Sequence, residues 1–155
     1  MPTHYTGTPR QRRALDAFIK LMRATETLNA RLAKALSVTG ITPGQLSVLE
    51  ALLHLGPMHA CDLSKKVLRS NANMTTVIDN LQRAGLVSRE RTREDRRFVL
   101  VSLTPEGRRR IEAVLPAHVV DVTRALSALG AAEQEELGHL CKKLGLALEK
   151  GKEKD

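Results

Sequence analysis

The 155-residue sequence predicts a mainly α-helical protein that carries one small β-hairpin. Three observations predict it. Apolar residues recur through most of the chain at i, i+3, i+4 and i+7, the spacing that lines one face of an α-helix. That period gives way to alternation near residues 86–91 and 98–103, where β-branched side chains gather. Between the periodic stretches lie Thr-Pro pairs and glycines that start and stop helices.

The elements follow in order. The first nine residues, rich in Thr, Pro and Gly, are expected to form a flexible tail. Leu15, Phe18, Met22, Leu28, Leu32 and Leu36 predict a long amphipathic helix over 10–36, ended by Gly40. Thr42-Pro43-Gly44-Gln45 predicts a sharp helix start. Thr42 can accept from the first-turn amides, Pro43 suits the first helical position, and Gln45 completes a capping box. Leu46, Leu49, Leu52 and Leu53 form the stripe of this helix, and Gly56-Pro57 stops it. A short helix over 59–67 buries Leu63 and Val67. The next helix spans 70–84, capped by Ser70 or Asn71 and closed by Gly85. Its apolar face is Met74, Val77, Ile78 and Leu81; opposite lie Ala72, Thr76, Asp79 and Arg83, flanked by Asn73, Thr75 and Asn80. Strands over 86–91 and 98–103 then enclose a polar tip at 92–97, with Val99, Val101 and Leu103 on one face. Three helices followed by a hairpin with a basic tip form the winged helix-turn-helix pattern.

Thr104-Pro105 starts a further helix by the same cap-and-proline logic. Its stripe is Ile111, Val114, Leu115, His118, Val119, Val122, Leu126 and Leu129, and Pro116 within it predicts a kink or local break near 113–116. After Gly130 a last helix carries Leu137, Leu140, Leu144 and Leu148 as a heptad-like seam, with residues 150–155 expected to fray.

Charge indicates the partner. Lys and Arg number 25 against 17 Asp and Glu, a net charge of +8. Residues 1–63 carry +3, residues 64–110 carry +7 and residues 111–155 carry −2. A surplus concentrated in the middle third favours a polyanion, because each phosphate neutralised releases counterions; a solvated basic face is the alternative. One Tyr, two Phe and no Trp leave little for unstacked bases to stack on, which argues against single-stranded nucleic acid; with the winged helix-turn-helix pattern the expected partner is double-stranded DNA. No apolar run reaches 18 residues, so no membrane span is expected, and residues 1–13 lack the apolar stretch of a secretion signal. The expected compartment is cytoplasmic. Two cysteines are too few for a disulfide framework. No C-x-x-C, H-E-x-x-H or phosphate-binding glycine loop occurs, so no metal site, cofactor or catalytic activity is expected.

Residues 63–107 resemble the MarR family of transcription regulators. The resemblance is carried by Asn80-Leu81-Gln82-Arg83-Ala84-Gly85-Leu86-Val87, by Asp95-Arg96-Arg97, and by Val101-Ser102-Leu103-Thr104-Pro105-Glu106-Gly107. The flanking helices agree with the family's layout, extending the likeness over roughly 10–149. It implies a homodimer whose terminal helices interlock and whose winged lobes enter successive major grooves. It also implies a small-molecule effector pocket between lobe and helical base. The expected organisation is therefore one domain over 1–155. Within it, 42–104 is the DNA-binding lobe, and 10–41 with 105–149 is the dimerisation region. The expected function is sequence-specific regulation, as a repressor, at a pseudo-palindromic operator.

Within the lobe, Asn73, Thr75 and Thr76 are candidate base or phosphate contacts, Asn being suited to adenine; the other reading is an ordinary solvated face. Ser70 and Asn71 at the helix start are placed at the DNA with them. Lys65, Lys66, Arg69 and Arg83 suit phosphates better than base edges. By the family resemblance Arg97 is the wing arginine and looks like a minor-groove probe, and Asp95 is an acidic partner that holds the wing's shape; Arg93, in the same basic tip, is a candidate second contact. An acid facing phosphate would be repelled, so Asp79 is expected to make a structural salt bridge. Cys61 and Cys141 leave a thiol-switched regulator of the same fold open as an alternative. The cysteine near the start of the first helix through which some members of the family sense peroxides is absent. A non-specific architectural DNA protein is a further alternative. His59 and Cys61 diverge at i, i+2 and make a weak metal pair; His118 suits a core, an interface or a ligand pocket.

Overall fold

The computed structural model describes residues 4–67, 71–91 and 99–151, with only the backbone described at 71, 72, 150 and 151. The chain divides into two compact units, Met1–Val119 and Val120–Asp155.

The first unit opens with α1 (Pro9–Leu36), whose start is a capping box. The Thr8 hydroxyl accepts from the Gln11 amide at 3.3 Å, and the Gln11 side chain accepts from the Thr8 amide at 2.9 Å. The helix thus begins at Pro9, inside the expected nine-residue tail, on the same Thr-Pro-x-Gln signature that opens the next helix. A 3-10 turn (Ser37–Thr39) and Gly40 at φ +71° end it. Helix α2 (Pro43–Leu55) has its box as expected, with Gln45 and Thr42 exchanging bonds of 3.2 and 2.9 Å. Leu46, Leu49 and Leu52 are buried and Leu53 is half-buried against the core.

After Gly56 the chain forms a strand the sequence reading lacked, β1 (Met58–His59). It is followed by α3 (Ala60–Lys66), α4 (Asn71–Arg83), β2 (Val87–Arg91) and β3 (Val99–Leu103). The expected two-stranded hairpin is therefore a three-stranded antiparallel sheet of order β1-β3-β2, with Met58 opposite Val101 and Val87 opposite Leu103. Two residues are too short to show any period, so β1 left no signal.

Helices α2, α3 and α4 pack with the sheet around one core. Leu49, Leu63, Ile78, Leu81 and Val101 are fully buried in it, and α5 (Pro105–Ala125) closes it with Ile111 and Val114. Of the kink or local break expected near Pro116, the break does not occur; α5 is continuous through it. A proline removes one donor, and the carbonyl it frees belongs to Glu112, an exposed residue that water can reach. Beyond Ile111 and Val114 the stripe weakens. Leu115 and His118 are half-buried and Val119 is 53% exposed.

The second unit holds the end of α5 and α6 (Ala131–Gly151), which is helical through Lys150 and Gly151; the rest of the tail expected to fray, 152–155, lies outside the described residues. Its leucine seam is exposed, with Leu140 at 51% and Leu144 at 49%. No helix among the described residues is long and apolar enough to cross a membrane.

Candidate nucleic-acid interface

Helix α4 is held by its buried face and by its C-terminus. Met74, Ile78 and Leu81 are buried, with Val77 half-buried beside them, and this fixes the rotation of the helix about its axis. At the end, Gly85 takes φ +71°; its amide bonds to the Gln82 carbonyl and the Leu86 amide to the Leu81 carbonyl, both at 2.9 Å. These are the two bonds of a Schellman motif, and the left-handed residue between them favours glycine.

With the apolar face fixed, helical spacing aims Thr76 and Arg83 furthest from the core. Asn73 and Asn80 lie to one side of that line, Thr75 and Gln82 to the other, and all six are exposed. The face is short-chained and polar, and its one cation is tethered: Arg83 donates to the Asn80 Oδ1 at 3.1 Å. Asn80 flanks this face as expected and Gln82 joins it, although neither was expected as a DNA contact. Their helical positions, 73 + 7 and 75 + 7, were the available signal.

Asp79 belongs by the same spacing to the outward side of the helix, yet it is half-buried because it pairs with Arg89 on β2. The structural salt bridge expected for it is present. The pair ties α4 to the sheet, so the carboxylate is neutralised rather than presented to a polyanion.

Lys65 on α3 is exposed and pairs loosely with Asp62 at 3.8 Å, one turn back. Lys66 diverges from it and lines a cleft of about 490 Å³ with Ser47, Glu50, Ala51, His54, Leu55 and Val67. Both lysines are exposed. Arg69, Ser70, Arg93, Asp95 and Arg97 lie outside the described residues; Asn71 opens α4, with its side chain likewise outside them. Cys61 and Cys141 are both exposed thiols, and among the described residues no three His, Cys, Asp or Glu side chains gather as metal ligands. His59 occupies the N-cap position of α3 without a side-chain capping bond.

A short helix, a second helix with a polar outward face, and a three-stranded sheet beside them define a winged-helix DNA-binding transcription regulator. Comparison with known proteins gives the family. Residues 41–99 match the MarR family. The chain is 31% identical over 134 residues to the HTH-type transcriptional regulator YkoM of Bacillus subtilis, covering 86% of this chain and 87% of that one. BpsR of Bordetella bronchiseptica, whose DNA binding is regulated by 6-hydroxynicotinic acid, is 28% identical with a TM-score of 0.78, over 83% of this chain and 98% of that one. A mutant MarR of E. coli complexed with operator DNA is 26% identical with a TM-score of 0.74, over 80% of this chain and 89% of that one. The chain belongs to the MarR family of transcription regulators.

Proposed function

We propose that the chain acts as a homodimeric repressor on a pseudo-palindromic duplex operator, with its affinity set by a small-molecule effector. The observation that carries this reading is the outward face of α4, short and polar at Asn73, Thr75, Thr76 and Asn80, on a helix whose rotation is fixed by Met74, Ile78 and Leu81. Such a face suits hydrogen bonding to base edges in a major groove. Lys65 and Arg83, with Arg69, Arg93 and Arg97, would supply phosphate and wing contacts; Ser70 and Asn71 would stand at the helix start and Asp95 would brace the wing. Residues 42–104 are the reading lobe.

One such lobe makes few base contacts. Two lobes related by a two-fold axis reach half-sites about 34–36 Å apart, one helical turn. The exposed Phe18 and Met22 on α1 and the exposed Leu137, Leu140 and Leu144 on α6 support dimerisation through 10–41 and 105–149, since large apolar side chains in a row favour a partner. The effector is proposed from the ligand-regulated DNA binding of BpsR. It would act by favouring one spacing of the two reading helices.

The test begins with selection of genomic fragments that bind the protein, followed by titration of Asn73→Ala and Thr76→Ala on the selected site and on a scrambled duplex. Each substitution should cost about 1–3 kcal/mol on the selected site and little on the scrambled one. If the ratio of the two affinities does not change, α4 is not the reader.

A further inference from the structure

We propose that Thr104 and Gly107, at the start of α5, are positioning residues for the reading helix, and so determine DNA specificity without touching DNA. This rests on α4 being the reader. The argument comes from comparing three helix starts in one chain. Thr8, Thr42 and Thr104 are each followed by proline, and each threonine hydroxyl accepts from the amide three residues on, at 3.3, 3.2 and 2.9 Å. In the first two, the residue three on is glutamine, and its side chain takes the threonine's own amide proton at 2.9 Å.

The third start differs. Residue 107 is glycine, with no side chain to reach back, and the Thr104 amide donates instead to the Leu86 carbonyl at 3.1 Å. The Thr104 hydroxyl, while accepting from Gly107, donates its proton to the Gly85 carbonyl at 2.7 Å. Both carbonyls belong to the residues that close α4. The amide bond continues the β2–β3 pairing one rung beyond Val87 and Leu103, and the hydroxyl bond adds a direct tie from the start of α5 to the residue that closes α4.

Glycine at 107 makes this contact possible. A Cβ there would stand 1.9 Å from the Leu86 oxygen and 2.8 Å from its carbon. Both are backbone atoms of the turn that ends α4, so they cannot rotate away. Reaching ordinary contact, which begins at 3.4 Å, requires a shift of about 1.5 Å. That is comparable to the rise per residue of the helix itself, and hydrogen bonds to base edges do not survive it. The buried face fixes how α4 is rotated; the Thr104 contact fixes where its C-terminal end sits on α5.

The test uses the full-length protein, with Thr104→Val, Thr104→Ser and Gly107→Ala compared on the selected operator and on a scrambled duplex. Temperature and salt are held fixed where circular dichroism shows each variant folded. Valine keeps the shape and removes both hydroxyl bonds; serine keeps them. The expected result is a fall of at least about fivefold in the operator-to-scrambled ratio for Thr104→Val, the lower end of losing one base contact. Affinity for scrambled DNA should stay within about twofold, and Thr104→Ser should restore the ratio. Gly107→Ala should lower the ratio further. An unchanged ratio in a folded Thr104→Val protein overturns the proposal, as does a valine variant that cannot fold, because the hydroxyl would then be a requirement of the fold and not a positioning device. Asn73→Ala and Thr76→Ala serve as the reference. If they lower the ratio and Thr104→Val does not, only the positioning role fails. If none does, the reading of α4 fails and takes this role with it.

Discussion

The ion pair between Asp79 and Arg89 should couple α4 to the sheet by a measurable amount, and its size follows from its surroundings. The Arg89 side chain is 25% exposed and that of Asp79 45%, so the pair lies between the surface and the interior. Exposed pairs contribute about 0.2–1 kcal/mol, whereas breaking a buried one by removing a partner costs about 3–5 kcal/mol. Solvent at Asp79 places this pair near the lower range, with a coupling of about 1 kcal/mol. The two single substitutions should not cost the same. Asp79→Ala strands a guanidinium whose Nε is already buried without a hydrogen-bond partner, and should cost about 1–2 kcal/mol. Arg89→Met keeps most of the apolar stem and leaves a half-exposed carboxylate that water can solvate, so it should cost about 0.5–1 kcal/mol. A double-mutant cycle in urea, at one protein concentration, isolates the coupling and cancels the gain in helix propensity that alanine brings. A coupling below about 0.3 kcal/mol would refute the reasoning. A coupling that vanishes between low and high salt would do the same, since a mostly covered cation is screened weakly.

Two further outcomes test the electrostatic and assembly parts of the reading. Lys65→Ala should weaken binding to operator and scrambled duplex alike, and lower the slope of log affinity against log salt by about one unit; an unchanged slope means that Lys65 meets no phosphate. Leu140→Glu and Leu144→Glu alter side chains about half exposed within one chain, so each variant should remain folded while its sedimentation shifts toward the monomer at micromolar concentration. A dimer as stable as the unsubstituted protein's would exclude this seam from the interface.

How much of the fold could be read in the sequence depended on whether an element was long enough to repeat. Helix α2 was legible at both ends because Thr42, Pro43 and Gln45 act through local bonds, and Gly56 takes a backbone conformation that favours glycine. Helix α4 was legible because four apolar residues at helical spacing settle its rotation before any tertiary contact is known. Strand β1 was not, since Met58 and His59 carry no period and their partners, Val101 and Leu100, are more than 40 residues away. The break that was one of the two outcomes expected at Pro116 is absent for a related reason. A break there depends on whether the freed carbonyl can be solvated, and that is decided by the exposure of Glu112 in the folded chain.

The site divides along the same line. Residue types and helical spacing sufficed to find the polar face of α4 and to give Asp79 a structural role, because an acid on a helix bound for phosphate needs a cation to offset it. They did not name Arg89 as that cation, since several arginines from 83 to 97 were equally available to a reader of sequence. They also did not show that the third Thr-Pro start differs from the first two. A cap is a local motif, and a glycine at its third position looks like a weaker cap, lacking the side chain that closes the box. Its meaning appears only when the Leu86 carbonyl is found where that side chain would be. A bond that a local side chain makes at Gln11 and Gln45 is made at Thr104 by the Leu86 carbonyl, one rung beyond the Val87–Leu103 pair of the sheet. What is lost in local capping is recovered as a tertiary contact, and the helix that contact holds is the one carrying Asn73, Thr76 and Arg83.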